Sequence, residues 1–377
     1  MKRLLVLLCI VSIFSCNCFR KANECKLYDS AAFEAKIDGK EVKLYTLQNI
    51  SGMTMQVTNF GARVVSLWTP DKNGVMADIV LGYENLDRYV NNSGERFLGA
   101  TIGRYGNRIA KGKFTLNDVE YTLSTFNNGQ CLHGGDKGFD MVVWNVDSVT
   151  VNSIHFSYLS KDMEEGFPGN LDTKMTYMLT DDNEFKIIHN ATTDKATVVN
   201  LTHHSFFNLC GEGNGTINDH VLTINADKYI PTDDVAIPLG QLDDVQGTPF
   251  DFRGGKAIGT DVGIQDIQLE YGNGYDHCWV LNRQSEGDLE VAATLWEPIS
   301  GRFMEVITDE PGLQFYGGNF FDGKTIGKSG KSYKYRESLA LETQHYPDSP
   351  NNELFPSTIL NPGEEYSHTC IYKFSIK

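Results

Sequence analysis

The chain has 377 residues and a formal net charge of -16, from 33 Lys+Arg against 49 Asp+Glu. Phosphate contacts need a basic face, so this balance argues against nucleic acid as a partner, and against anionic substrates unless a local basic pocket exists. The length is ample for a hydrophobic core, and 36 glycines suit a fold with many tight turns.

At the N-terminus, Lys2 and Arg3 precede an apolar run from Leu4 to Phe14, which ends in Ile13-Phe14-Ser15-Cys16. Residues 1–16 therefore read as a targeting segment. The apolar run is short for a membrane span. Cys16 after a small residue resembles a bacterial lipobox, in which that cysteine becomes the lipidated first residue. The alternative is ordinary cleavage nearby, leaving a soluble periplasmic protein. Either way the mature chain is exported, periplasmic or membrane-anchored, with 17–32 as a tether and 33–377 as one domain. Cys9, Cys16, Cys18, Cys25, Cys131, Cys210, Cys278 and Cys370 show no CxxC or Cys/His metal spacing, and their scatter argues against a disulfide framework. No metal or cofactor is expected.

From Phe33 onward the chain alternates in short runs separated by Gly, Asn, Asp and Pro. Phe33 to Ile37, the turn Asp38-Gly39 and Val42 to Leu47 read as a hairpin. Lys113 to Leu116, Asn117-Asp118 and Val119 to Leu123 repeat that logic. Further strands are predicted at Met53 to Thr58, Val142 to Val151, Ile154 to Leu159, Thr173 to Leu179 and Glu184 to Asn190. The C-terminal third adds Leu289 to Trp296, Phe303 to Thr308, Leu313 to Tyr316, Leu339 to Thr343 and Tyr366 to Phe374. No window sustains a 3.6-residue apolar period. Many strands without intervening helices predict an all-β sandwich.

Thr197 to Leu209 reads as one strand carrying two adjacent histidines. Parity sets Val199, Leu201, His203, Ser205, Phe207 and Leu209 on a core row. Val198, Asn200, Thr202, His204, Phe206 and Asn208 form the opposite row, rich in amides and hydroxyls. Such a row suits the wall of a pocket for a neutral, many-hydroxyl ligand such as a sugar, with Phe206 placed either to stack on the sugar or to join the core. Four other segments concentrate polar groups. Thr101 to Gly112 carries Asn107 and Arg108 on a glycine-rich loop. Leu132-His-Gly-Gly135 places His133 before two glycines. In Gly274 to Trp279, extended backbone puts Asp276 and His277 on opposite faces. In Leu339 to Asp348, Ala340, Glu342 and Gln344 share a face. Taken singly, each of these also reads as turn or surface.

Together they match a pattern. From Phe33 to the C-terminus the chain resembles the aldose 1-epimerase (galactose mutarotase) family. The resemblance is carried by Asn59-Phe-Gly-Ala62, Asp78-Ile-Val-Leu-Gly82, Gly103-Arg-Tyr-Gly-Asn-Arg-Ile109, Leu132-His-Gly-Gly135, Asn200 to Leu209, Asp276-His277, Gly312-Leu-Gln-Phe-Tyr316 and Glu342 to Asp348, in family order and spacing. It implies the family fold, a large antiparallel β-sandwich (the galactose mutarotase-like supersandwich), and the interconversion of α and β anomers of free hexoses such as galactose and glucose. It also implies roles: Glu342 as catalytic base, His204 as acid, His133 as a second histidine near the ring oxygen, and Asn107, Arg108, Asp276 and Gln314 as sugar-binding residues. Members usually carry Asn where this chain has His203 and often Ala where it has Gly106. Parity turns His203 away from the pocket, whereas Gly106 is expected to loosen the loop beside Asn107.

Ordinary pKa values leave Glu342 ionised and let His204 be protonated, with Asp276 as a source of field for the imidazolium. The partner is then a small aldose, the protein a monomer or weak dimer, and the only membrane contact the lipid anchor at Cys16. Three rival readings exist. A glycoside hydrolase or lyase would need two carboxylates across the bond, where the match here is a carboxylate and a histidine. A non-catalytic glycan-binding lipoprotein would use exposed aromatics. A hexose-6-phosphate epimerase would need a basic cluster.

Overall fold

The computed structural model describes residues 25–91, 94–285 and 287–377. The leader, Cys16 and most of the expected tether lie outside the described residues. The end of that tether is docked: the Tyr28 N–H donates to Gln56 Oε1 (2.8 Å) and its carbonyl accepts from Gln56 Nε2 (3.0 Å). Asp29 then caps a 3-10 turn, Ser30–Phe33, which buries Phe33. Phe33 thus belongs to this turn, and the first strand is Ala35–Ile37.

The expected hairpins form because their turn residues tolerate left-handed backbone. Asp38 and Gly39 have φ of 49° and 79°, and Asn117 and Asp118 have 52° and 63°, the geometry of a two-residue turn whose twist matches the flanking strands. Long alternating runs build a nine-stranded antiparallel sheet. Its spatial order is Asn145–Val149, Ser153–Ser160, Leu171–Leu179, Glu184–Thr193, Tyr366–Ile376, Arg302–Thr308, Glu290–Trp296, Val221–Ile224 and Lys256–Ala257. A five-stranded sheet runs Asp243–Asp244, Lys228–Ile230, Asp276–Val280, Gly312–Tyr316, Ala340–Gln344, and a four-stranded one covers residues 44–78. The two α-helices among the described residues, Leu86–Val90 and Ile267–Tyr271, are five residues each. No described helix is long and apolar enough to cross a membrane.

One core joins the sheets. Phe156, Tyr177 and Ile187 of the large sheet pack in the same cluster as Trp279, Phe315 and Leu341 of the five-stranded sheet. Each such side chain contributes about 1.5–3 kcal/mol by leaving water. The period of two therefore decides the other face as well: with Trp279, Phe315 and Leu341 inward, Asp276, Gln314 and Glu342 must point outward.

The expected long strand 197–209 is not continuous. It breaks into Thr197–Val198 and Thr202–His204, followed by an isolated bridge at Phe207. At the break the backbone changes partner, the Val199 N–H donating to the Thr358 carbonyl (2.9 Å) and the Asn200 N–H to that of Arg104 (3.1 Å), and the Asn200 side chain holds further backbone. Its Nδ2 donates to the carbonyls of Gly106 (3.2 Å) and His345 (3.3 Å), and its Oδ1 accepts the His345 N–H (3.0 Å). The described cysteines, Cys25, Cys131, Cys210, Cys278 and Cys370, are all free thiols.

Candidate active site

A cavity of about 250 Å³ opens on the outward face of the five-stranded sheet, where the Thr202–His204 strand crosses it. All seven expected site residues line it: Asn107, Arg108, His133, His204, Asp276, Gln314 and Glu342. Their convergence has a simple origin in register. Gln314 pairs directly with Glu342, and Cys278 with Gln314, so Asp276 sits diagonally beside Gln314. That diagonal is bridged by Gln314 Nε2 donating to Asp276 Oδ1 at 2.7 Å.

The opposite wall is built from turns. The His133 N–H donates to the Asn107 carbonyl (3.0 Å), and the Asn107 N–H donates back to His133 Nδ1 (3.1 Å). Both residues have left-handed backbone, φ 50° and 63°. Gly134 makes this possible: at φ 89°, a Cβ there would lie 1.9 Å from the Gly103 carbonyl oxygen. Arg108 is steered by Asn127, whose Oδ1 accepts from Nε at 3.4 Å.

At the floor, His204 Nε2 stands 3.4 Å from Glu342 Oε1. The His204 ring stacks on Phe206, with centroids 4.7 Å apart, and lies edge-on to His133 at 5.2 Å. Phe206 is thus both a buried core ring and a wall of the cavity. Glu342 Oε2, Gln314 Oε1 and His204 Nδ1 are buried without a hydrogen-bond partner among the described residues.

Burial reverses the ionisation expected from ordinary values. It pushes His204 down to about 3 and raises Glu342 well above the usual carboxylate range, with Asp276 adding to the rise and Arg108 opposing it. Burial therefore favours the uncharged forms of both groups. His133 is likewise driven well down by burial, reinforced by His204 and Arg108. Asp276 does not act on His204 as anticipated; its field falls on Glu342.

Two further expectations are corrected. Asn200 and Thr202 do not line the cavity: Asn200 clamps backbone, and Thr202 Oγ1 donates to the Thr343 carbonyl at 2.9 Å. Of the polar row, only His204 and Phe206 reach the site. Gly106 does not loosen its loop, because its N–H donates to the Asn200 carbonyl at 2.6 Å and a Cβ would meet Thr202 Cγ2 at 2.9 Å. His203 does turn away, with Nδ1 3.1 Å from the Tyr177 hydroxyl and Nε2 2.6 Å from Ser205 Oγ. Sequence reasoning missed Glu95, Phe97 and Tyr316, which also line the cavity. Tyr316 was within reach, two residues after Gln314 on one strand; the loop bearing Glu95 and Phe97 carries no such signal.

His133, His204 and Glu342 bring ligand atoms within 4.8 Å of one another, yet the donor chemistry does not suit a metal. His133 Nδ1 is occupied as an acceptor, which puts the ring proton on Nε2 and leaves no free lone pair. In the second group, Asp309, Glu310 and His368, both imidazole nitrogens of His368 are engaged, Nδ1 with the Leu201 carbonyl and Nε2 with Thr343 Oγ1, each at 3.0 Å.

The sequence model for Aldose 1-epimerase matches residues 43–373. The chain belongs to the aldose 1-epimerase family. It is 41% identical to human galactose mutarotase over 338 residues, 90% of this chain and 95% of that protein. It is 39% identical to the aldose 1-epimerase of Escherichia coli K12 over 339 residues, covering 89% and 96% of the two chains. Among solved structures, an aldose epimerase homologue from C. elegans superposes with a TM-score of 0.82 at 30% identity, covering 89% of this chain and 99% of its own. A galactose 1-epimerase from Lactobacillus acidophilus gives 0.78 at 28% identity, over 91% and 97%. The protein is thus a mutarotase, an isomerase acting on a small sugar.

Proposed function

We propose that Glu342 and His204 open and close the sugar ring as base and acid, on free hexoses such as galactose and glucose. The observation that carries this reading is the 3.4 Å gap between Glu342 Oε1 and His204 Nε2 at the floor of the cavity. Mutarotation needs one proton taken from the C1 hydroxyl and one given to the ring oxygen. Both oxygens sit on the same carbon, so the base and acid must stand side by side.

The pair holds one exchangeable proton. With a cyclic sugar bound, Glu342 carboxylate removes the C1 hydroxyl proton while protonated His204 delivers one to the ring oxygen. The C1–O5 bond breaks, and the open-chain aldehyde faces a neutral Glu342–His204 pair. Rotation about C1–C2 turns the other carbonyl face inward, the C5 hydroxyl adds to it, and the protons return. General acid-base catalysis of this kind contributes about 10²–10⁴-fold. His133, its proton fixed on Nε2, donates near the ring oxygen. Asn107, Arg108, Asp276 and Gln314 hold hydroxyls, and Gln314 Oε1 is an acceptor left open for one.

The protein is exported by residues 1–16, with Cys16 as the anchoring residue where it is lipidated, and residues from 33 onward act as one domain, monomeric or weakly dimeric. Sugar released outside the cytoplasm would be equilibrated there before uptake; recovery of the mature chain in the cytosol would count against this. Polarimetry of freshly dissolved α-D-galactose and α-D-glucose tests the chemistry. The wild type should relax both far faster than buffer, and Glu342→Gln should lose that rate. A wild-type rate equal to buffer for both sugars would overturn the reading.

A further inference from the structure

Three carboxyl groups line the one cavity: Glu95, Asp276 and Glu342. Among the described residues none of them makes an ion pair with a lysine or arginine; Glu342 stands 3.4 Å from His204, and Arg108 acts on Glu342 and Asp276 without pairing with either. The neighbouring arginines are spent elsewhere. Arg96 binds Asp140 through Nε (2.8 Å) and a second nitrogen (2.9 Å), and Arg63 serves Asp140 and the carbonyls of Arg96 and Leu98. Arg108 is the single guanidinium that lines the cavity. Burial disfavours charge on the histidines and on the carboxyls alike, so a cation entering the site would favour ionised carboxyls.

Glu95 has no part in the ring-opening chemistry. Its Oε1 accepts the Phe97 N–H at 3.1 Å, which fixes the carboxyl at the wall; burial raises its pKa against the backbone hydrogen bonds and the charges of Arg63 and Arg96, so a cation beside it would favour the carboxylate. A neutral sugar hydroxyl can be held by an uncharged amide such as Gln314 or by a carboxyl such as Asp276, and gives one hydrogen bond to either. An ammonium group gains more. It offers three donors, its bonds to carboxylate are about twice as strong as neutral ones, and its attraction to unpaired carboxylates is less screened in a half-enclosed site. The whole-chain charge of -16 biases approach the same way.

We propose that Glu95 is a further substrate-positioning residue and that it makes this site selective for amino-deoxy aldoses, sugars bearing an ammonium group, over neutral and anionic ones. This rests on the epimerase reading. The step on such a sugar is the ring opening already described, and the ammonium group stays unchanged.

The test is polarimetric kcat/KM at about pH 6.5, below the ordinary range of a free amine, for D-galactosamine, D-galactose, N-acetyl-D-galactosamine and D-galacturonate, each corrected for its buffer rate. The wild type should favour galactosamine over galactose by about tenfold, should not favour the N-acetyl sugar, and should act least on galacturonate. Glu95→Gln should lower the galactosamine-to-galactose ratio about tenfold, with Glu95→Asp restoring part of it. The wild-type preference should vanish at about pH 9.5, where the amine is neutral. A wild-type ratio near one at pH 6.5, or a ratio that Glu95→Gln leaves unchanged, overturns the proposal. If wild type fails to accelerate galactose itself, the epimerase reading falls first; if galactose is accelerated without amine preference, only this inference falls.

Discussion

Asn200→Ala separates a structural amide from a sugar-binding one. The Asn200 side chain is fully buried and satisfies three backbone groups, the carbonyls of Gly106 and His345 and the His345 N–H. Alanine leaves these without their amide partner. Each buried, unsatisfied group costs about 1–3 kcal/mol, but His345 also keeps the chance of a water, so a total of about 3 kcal/mol is the working figure. In a chain of this size about 2 °C of Tm accompanies each kcal/mol, giving a drop of about 6 °C. The clamp ties the loop of Asn107 and Arg108 to the end of the Glu342 strand, so kcat/KM should fall as well. Calorimetry and polarimetry on the same preparation check both. An unchanged Tm with a raised KM would show that Asn200 contacts the sugar directly, and the structural argument would fail.

The pH profile of kcat/KM should reflect the paired site: burial lowers His204 and raises Glu342, so the one-proton form persists between them. Its acid limb then lies near the His204 value of about 3 and its alkaline limb well above 4.5; an acid limb near 6.5 in stopped-flow polarimetry would contradict this. Gly134→Ala should cost about 10²-fold or more in kcat/KM, comparable to losing a positioned acid-base group, because the added Cβ collides with the Gly103 carbonyl and displaces His133. Activity at wild-type level in that variant would disprove the strained-turn account. Lys328→Met breaks a buried ion pair with Asp78 at 2.6 Å and should destabilise by about 3–5 kcal/mol in urea unfolding. Because this pair is remote from the cavity lining, KM of the folded enzyme should hold; a large KM change would place Lys328 in the site.

Much of the fold was legible because period-two runs such as Leu171–Leu179 and Arg302–Thr308 bury every second residue. Parity likewise put Glu342, Asp276 and His203 on the faces they occupy. It failed where a side chain takes a backbone partner: Asn200 and Thr202 have sugar-like chemistry yet spend it on Gly106, His345 and Thr343. Thr197–Leu209 alternates like one strand, but alternation cannot reveal that its backbone changes partner at Val199 and Asn200. Ionisation was also out of reach, since it depends on burial set by residues such as Phe97 and Tyr316 from distant segments.

The neutral pair that burial favours is half of the reaction rather than an idle state. An ionised Glu342 with a protonated His204, and a neutral Glu342 with a neutral His204, contain the same number of protons. Ring opening converts the first into the second, and closure on either face converts it back. Burial that stabilised only the ion pair would hold the cyclic sugar and slow opening; burial that forbade it would leave no base. Arg108 lowers Glu342 while burial and Asp276 raise it, so these opposed influences bring the two forms closer in energy. Water is not required as a proton source, which suits a reaction whose substrate and product differ only in configuration at one carbon. Glu342→Gln removes the shared proton altogether, whereas His204→Gln leaves an acid without its conjugate partner. The pair should therefore behave as one unit, with the double variant no slower than the slower single one.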